Sequence, residues 1–144
     1  MEYYQLPLQL NDLLKKNELK KCDLKLSIAQ NIHLILTTHF GEYALDETYG
    51  CSVWENDFEN IFSTNTWKEK ISQSIKGTLS LHEQRLTNVQ VKTEIGQEEL
   101  TVNEQSHLHS IKRRLEIRVT GNYILTNEPF SFYERLFISP LSFD

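Results

Sequence analysis

Three sets of residues carry side chains that could do chemistry. The first is a scatter of carboxylates: Glu42, Asp46, Glu47, Asp57 and Glu83. Hydrolysis of a glycosidic bond uses two carboxyl groups, one protonating the leaving oxygen and one attacking or activating water. No spacing here singles out such a pair, and acidic residues in loops are ordinarily solvated surface. The second set is His107-x-His109. On a strand the two imidazoles share a face and could begin a metal site. No third ligand stands at comparable spacing, so two surface histidines are the simpler reading, and no metal or other cofactor is expected. His33, His39 and His82 are isolated, and neither Cys22 nor Cys51 sits in a Cys-x-x-Cys arrangement. The third set is Glu83-Gln84-Arg85. An arginine offers five N–H donors in a rigid fork suited to carboxylates or backbone carbonyls. Glu83 can hold that fork in place or meet a basic partner itself. The plainer reading is an ion pair that pins a helix end to a sheet.

Other catalytic signatures are missing from the sequence. Gly41 and Gly50 lack the lysine and the strand-loop-helix pattern of a phosphate loop. There is no serine nucleophile elbow. The formal charge is −5, from 15 Lys and Arg against 20 Asp and Glu, which gives the chain no global reason to bind nucleic acid. Lys112, Arg114 and Arg118 make a basic strand face that could meet phosphates, with Arg113 opposite and Glu116 among them. It reads as a solvated sheet face or the seat of an acidic protein partner. No small-molecule substrate is implied.

The elements that must position these residues follow from pattern. With 144 residues, 39% hydrophobic and 24% charged, the chain fits one folded domain with a modest core. Two cysteines make no disulfide framework and read as free thiols in a reducing cytoplasm. The start, Met1-Glu2-Tyr3-Tyr4, lacks the basic and apolar run of a secretory signal, and no apolar stretch is long enough to span a bilayer. A cytoplasmic protein without direct membrane insertion is expected.

Residues 1–26 read as an N-terminal arm, with Leu6, Leu8 and Leu10 alternating and Leu10, Leu13 and Leu14 suited to a short helix. Docking of this arm on the domain's own core is expected. A helix is predicted from Ser27, where Ser27 and Gln30 fit a capping box, with Ile28, Ile32, Ile35 and Leu36 on one face, to a stop near Thr38. Residues 39–52 form a loop in which Gly41 and Gly50 supply special backbone geometry and Tyr43, Leu45 and Tyr49 anchor it. A short helix over 53–61 carries the aromatic stripe Trp54, Phe58, Ile61 and Phe62, either core or a partner surface. Thr66 and Glu69 suggest a second capping box opening a helix over 67–81. From 86 the apolar period becomes two, through Val89, Val91, Thr93 and Ile95. Gly96 and Glu98-Glu99 mark a connection or bulge, a strand covers about 107–120, and Gly121-Asn122 looks like the next turn. Phe130, Phe132, Leu136 and Phe137 belong to a last strand or an aromatic C-terminal arm. The fold class is therefore α+β, N-terminal helices packed on a small antiparallel or mixed sheet. Residues 27–138 form the domain and 139–144 a tail.

Several of these segments occur in a familiar order. Ser27-Ile28 and Leu34-Ile35-Leu36-Thr37 are followed by Gly41-Glu42, Tyr49-Gly50, Ile61-Phe62 and Glu83-Gln84-Arg85-Leu86. The chain resembles the phage baseplate-wedge family once labelled lysozyme-like, and within it the TssE-like branch of bacterial type VI secretion systems. Gln84 stands where that family's Glu-Pro-Arg motif has proline, and Thr38-His39-Phe40 where Arg-Pro commonly precedes the Gly-Glu step. The resemblance implies a structural, non-enzymatic role. Its partners would be other baseplate wedge subunits and contractile sheath subunits, in a cytoplasmic assembly docked on a membrane. Glu83 and Arg85 would steady the sheath junction. Gly41, Glu42 and Gly50 would shape a structural loop, and Trp54, Phe58 and Phe62 would offer a partner surface. A phage or phage-like tail baseplate protein is the first alternative, and a peptidoglycan hydrolase, which the old label suggests, is the second.

Overall fold

The helix at the centre of the molecule begins earlier than the Ser27 capping box predicts. In the computed structural model, which describes residues 2–54, 64–101 and 109–138, α2 runs Leu24–Thr37. Its cap is Asp23, whose Oδ1 accepts from the amide of Leu26 at 2.8 Å. That bond satisfies one of the orphan donors of the first turn. The residue three after Asp23 is a leucine and not Glu or Gln, so the local pattern lacks the reciprocal signal of a capping box. Ser27 and Gln30 are thereby freed for other partners. The face of α2 is as expected: Ile28, Ile32, Ile35 and Leu36 are completely buried.

Three short elements precede α2: β1 (Tyr3–Tyr4), α1 (Leu10–Lys16) and β2 (Lys21–Cys22), with β1 and β2 paired antiparallel. The arm docks on α2 through its backbone, while Leu6, Leu8, Leu10, Leu13 and Leu14 stay exposed. The Leu6 amide donates to Gln30 Oε1 at 2.8 Å and Gln30 Nε2 donates to Tyr4 O at 3.3 Å. Helix α1 buries no residue, and Leu14 is 82% exposed.

After α2 the loop closes on itself. His39 and Cys51 form an isolated parallel bridge, and the Cys51 amide donates to Thr38 O at 3.0 Å. The Leu36 carbonyl at the end of α2 accepts from the Trp54 indole at 2.8 Å, one of the helix-end acceptors that lacks an intrahelical partner. A single turn of 3-10 helix covers Ser52–Trp54. The rest of the predicted short helix, with Phe58, Ile61 and Phe62, lies outside the described residues.

Helix α3 runs Thr64–His82, so Thr66 lies inside the helix and does not cap it. Trp67, Ile71, Ile75, Thr78 and Leu79 recur at helical spacing and are buried. It packs along β3 (Leu86–Thr101), the first strand of an antiparallel sheet ordered β3-β4-β5, with β4 at His109–Tyr123 and β5 at Pro129–Ile138. Buried Thr93 is satisfied by Ser72 Oγ at 3.0 Å and by the Lys68 carbonyl at 3.2 Å. Leu115, Ile117, Val119, Phe130 and Leu136 complete one core between the helices and one face of the sheet. The α+β class is as read from the sequence.

Two glycines taken as breaks turn out to lie inside strands. β3 passes straight through Gly96, which pairs with Arg114. A Cβ there would lie 2.9 Å from the Arg114 guanidinium, so the glycine lets that side chain lie across the strand. β4 likewise continues through Gly121-Asn122. A Cβ on Gly121 would stand 2.9 Å from Thr87 O. That close approach faces the actual bulge, a register shift between Thr87 and Gln90 with Asn88 at φ 53°. The turn lies beyond, at 124–128, closed by Asn127 N to Tyr123 O at 2.8 Å. Leu125 sits in that turn, 87% exposed. The last aromatic segment is strand β5.

Candidate functional site

Chain geometry at the end of α3 decides which way Glu83 and Arg85 point. The Glu83 amide extends the helical ladder to Leu79 O at 2.8 Å. Leu86, 6% exposed, then anchors the start of β3 in the core. Between these anchors Glu83 turns inward, to 2% exposure, while Gln84 faces out. The Arg85 carbonyl accepts from the Ile124 amide at 3.0 Å and ties the corner to the end of β4.

The buried carboxylate is saturated. Glu83 Oε1 accepts from Arg85 Nε at 2.7 Å and from the Arg85 amide at 3.2 Å. Oε2 accepts from Arg85 Nη2 at 2.7 Å and from Asn31 Nδ2 at 2.9 Å. The Arg85 fork is thus held bidentately, the strong form of a charged hydrogen bond. Its Nη1 donates to Ser27 Oγ at 2.8 Å, and the guanidinium carbon sits 5.3 Å from the centre of the Tyr3 ring, within cation–π range. The hydrogen bond to Glu83 raises the arginine pKa above its usual value, against the opposing effect of burial.

Asn31 extends the network. Its Nδ2 also donates to His82 O at 3.0 Å, and its Oδ1 accepts from the Tyr49 hydroxyl at 2.9 Å. Burial, then the nearby Glu83 charge, pushes the Tyr49 hydroxyl above its ordinary pKa. The Tyr49 ring meets His82 edge-on at 5.2 Å. His82 Nε2 lies 3.0 Å from Thr48 Oγ1. Thr48 in turn donates from hydroxyl and amide to Asp46 and holds that carboxyl below its usual pKa. One chain of polar contacts therefore links the arm, α2, the 39–51 loop, α3 and β3.

This arrangement is suited to fixing parts and poorly suited to proton chemistry. Each Glu83 oxygen already accepts two hydrogen bonds, so no lone pair faces a substrate. The ion pair reading of the motif stands, with a wider reach than its position at a helix end suggested. Ser27, Asn31, Tyr49 and Tyr3 are members that the sequence did not single out for this site. Ser27 and Asn31 lie 58 and 52 positions from their partners, and no local pattern reports such a meeting.

The other predicted residues lie around the same loop. Gly50 is buried at φ 130°, and a Cβ there would stand 2.7 Å from Thr38 O, so glycine is required. Gly41 adopts φ 80°. Glu42 is exposed and its Oε2 accepts from the His39 amide at 2.8 Å, holding the loop entrance. Tyr49 anchors the loop as expected, but Tyr43 is 47% and Leu45 84% exposed. Tyr43 instead lines an open groove of 520 Å³ with Leu34, Thr38, Glu42 and Tyr49. Trp54 is half-buried against the core and stacks on His39 at 5.5 Å. Phe58, Phe62 and His107 lie outside the described residues, as does the side chain of His109. Among the described residues no cluster of potential metal ligands occurs, and no helix is long and apolar enough to cross a membrane.

A saturated corner of this kind fixes the helices against the start of the sheet. Residues 22–128 match the family described as baseplate wedge protein gp25. A crystal structure from Geobacter sulfurreducens, of a protein assigned as a tail lysozyme, is similar in fold, with a TM-score of 0.57 and 24% identity over 82% of this chain and 94% of that one. No curated protein matches the sequence. The chain belongs to the baseplate wedge gp25 family. Membership implies contact with other baseplate subunits.

Proposed function

We propose that this chain is a structural baseplate component of a contractile type VI secretion system, joining wedge subunits to the first sheath ring and helping start sheath assembly. The observation that carries the reading is the division of labour at the α3–β3 corner. Glu83 is enclosed, whereas the Arg85 side chain keeps 32% of its surface in solvent with its orientation fixed. A pre-oriented guanidinium presents donors to a partner at small entropic cost. Glu83 thus acts as a positioning residue, and Arg85 is the member that meets the sheath. The edge strands of the three-stranded sheet, β3 and β5, give a sheath strand a place to pair through backbone bonds. The assembly would form on the cytoplasmic side of a membrane.

The test is affinity purification of the tagged full chain from its native cells. Sheath and other baseplate subunits are expected to copurify, and Arg85→Glu, with unchanged circular dichroism, is expected to lose the sheath while keeping the wedge subunits. Sheath recovery unaffected by that reversal would overturn the role given to Arg85. Recovery of phage tail proteins would move the same module to a phage-like particle. No peptidoglycan cleavage is expected from the purified chain. Cleavage abolished by one carboxylate substitution would replace the structural reading with a hydrolase.

A further inference from the structure

The sheet face turned away from the helices carries an arrangement of charge that the baseplate reading does not use. Lys92, Arg118 and Tyr133 are register neighbours across β3, β4 and β5, and the next row is Glu94, Glu116 and Arg135. Each row sets two like charges directly opposite one another, which destabilises a sheet unless compensated. The acidic pair is compensated. Lys68 reaches Glu94 at 3.2 Å, and Arg114 and Arg135 reach Glu116 at 3.1 and 3.5 Å. The basic pair is not: neither Lys92 nor Arg118 is ion-paired among the described residues, and Arg118 lies 5.8 Å over the exposed Tyr133 ring. With Arg114 and Arg135, the described side chains of this face hold four cations against two carboxylates on a chain whose formal charge is −5. Lys92, Arg118 and Tyr133, with the two neutralised glutamates, line a recess of 180 Å³. Phe137, 48% exposed, stands beside Arg114 in the row beyond.

We propose that this face is a docking surface for an acidic, extended segment of a protein partner, with a carboxylate seated between Lys92 and Arg118 and apolar side chains against Tyr133 and Phe137. Charge complementarity selects the occupant: an anion removes the like-charge repulsion that the fold leaves in place, and the aromatic rings favour a peptide over a bare phosphate. The surface is separate from the Arg85 corner and holds for a secretion system and a phage particle alike.

The test is fluorescence anisotropy with the full chain and a labelled synthetic peptide alternating glutamate with valine and phenylalanine, beside its glutamine counterpart and a DNA duplex of similar charge. The acidic peptide is expected to bind, more weakly as salt rises. The double variant Lys92→Glu, Arg118→Glu is expected to bind it at least roughly tenfold more weakly. Lys76→Glu, on the exposed side of α3, changes net charge elsewhere and should leave binding unchanged. The single change Lys92→Glu sets unlike charges opposite and should hold or raise the melting temperature while weakening the peptide. A fall in melting temperature with binding retained would assign the pair a structural role. Failure of the acidic peptide to bind, equal binding of the glutamine peptide, or equal binding of DNA would overturn the proposal. So would self-association of the chain that the double variant abolishes, which would make the occupant a second copy.

Discussion

The saturated Glu83 carboxylate makes a quantitative prediction for Glu83→Gln. The substitution keeps shape and volume, so no cavity term enters. It removes the charge facing the Arg85 fork and turns one acceptor into a donor, aimed at Arg85 or at Asn31 Nδ2. Four hydrogen bonds, three of them from Arg85, converge on this carboxylate. Breaking a fully buried ion pair costs about 3–5 kcal/mol. Arg85 keeps 32% of its side-chain surface in water and recovers some hydration, so the lower end applies, about 3 kcal/mol. For a chain of this size that is a fall in Tm of roughly 6–12 °C. Urea unfolding followed by circular dichroism should show a lower midpoint with an unchanged slope, because the surface exposed on unfolding is the same. Gln84→Ala, one residue away and exposed, should stay within about 0.5 kcal/mol of the parent. A loss below about 1 kcal/mol for Glu83→Gln would equal that of an exposed surface pair and would refute the latch.

Two further outcomes test the loop that meets this latch. Gly50→Ala is expected to cost more than about 2 kcal/mol by thermal denaturation, since the new Cβ would meet Thr38 O at 2.7 Å in a backbone conformation at φ 130°. The Tyr49 hydroxyl ionises above its ordinary value of 10.0 in the folded state, so the folded chain holds that proton longer than the unfolded chain. The resulting stability is complete below about pH 10 and declines as pH rises through the folded-state value. Denaturation midpoints across the alkaline range should fall in the parent and fall less steeply in Tyr49→Phe.

Sequence periodicity made the long elements legible because it reports burial of a face directly. Ile28, Ile32, Ile35 and Leu36 recur at helical spacing and are all buried, and Leu115, Ile117 and Val119 alternate into the same core. Boundaries were less legible, for a physical reason. Asp23 caps α2 alone, without the second half of a capping box, while Ser27 and Gln30 match that box but bond to Arg85 and to the arm. Gly96 and Gly121 read as breaks because glycine permits turns. Here each is placed by the close approach of a neighbour across the sheet, Arg114 in one case and the Thr87 carbonyl in the other. The Glu83–Arg85 contact was legible because the two residues lie two positions apart at a helix end. Ser27, Asn31 and Tyr3 enter only through tertiary folding.

Stability and assembly meet at this corner, and burial is what separates them. Glu83 is 2% exposed, so a partner can register its loss only through Arg85 or through the fold. Arg85 is exposed enough to be touched, yet three of its side-chain donors hold internal bonds, two to Glu83 and one to Ser27. A guanidinium fixed at that many points has little rotamer freedom left to lose on docking, which favours a rigid junction. The same fixation means that a charge change at Arg85 alone confounds a lost contact with a loosened corner. Glu83→Gln resolves the ambiguity, because it loosens the corner and leaves the cation in place. If a merely loosened corner accounted for sheath loss, Glu83→Gln and Arg85→Glu would fail alike at a temperature where both are folded. If the cation itself meets the sheath, Glu83→Gln retains partial recovery where Arg85→Glu retains none.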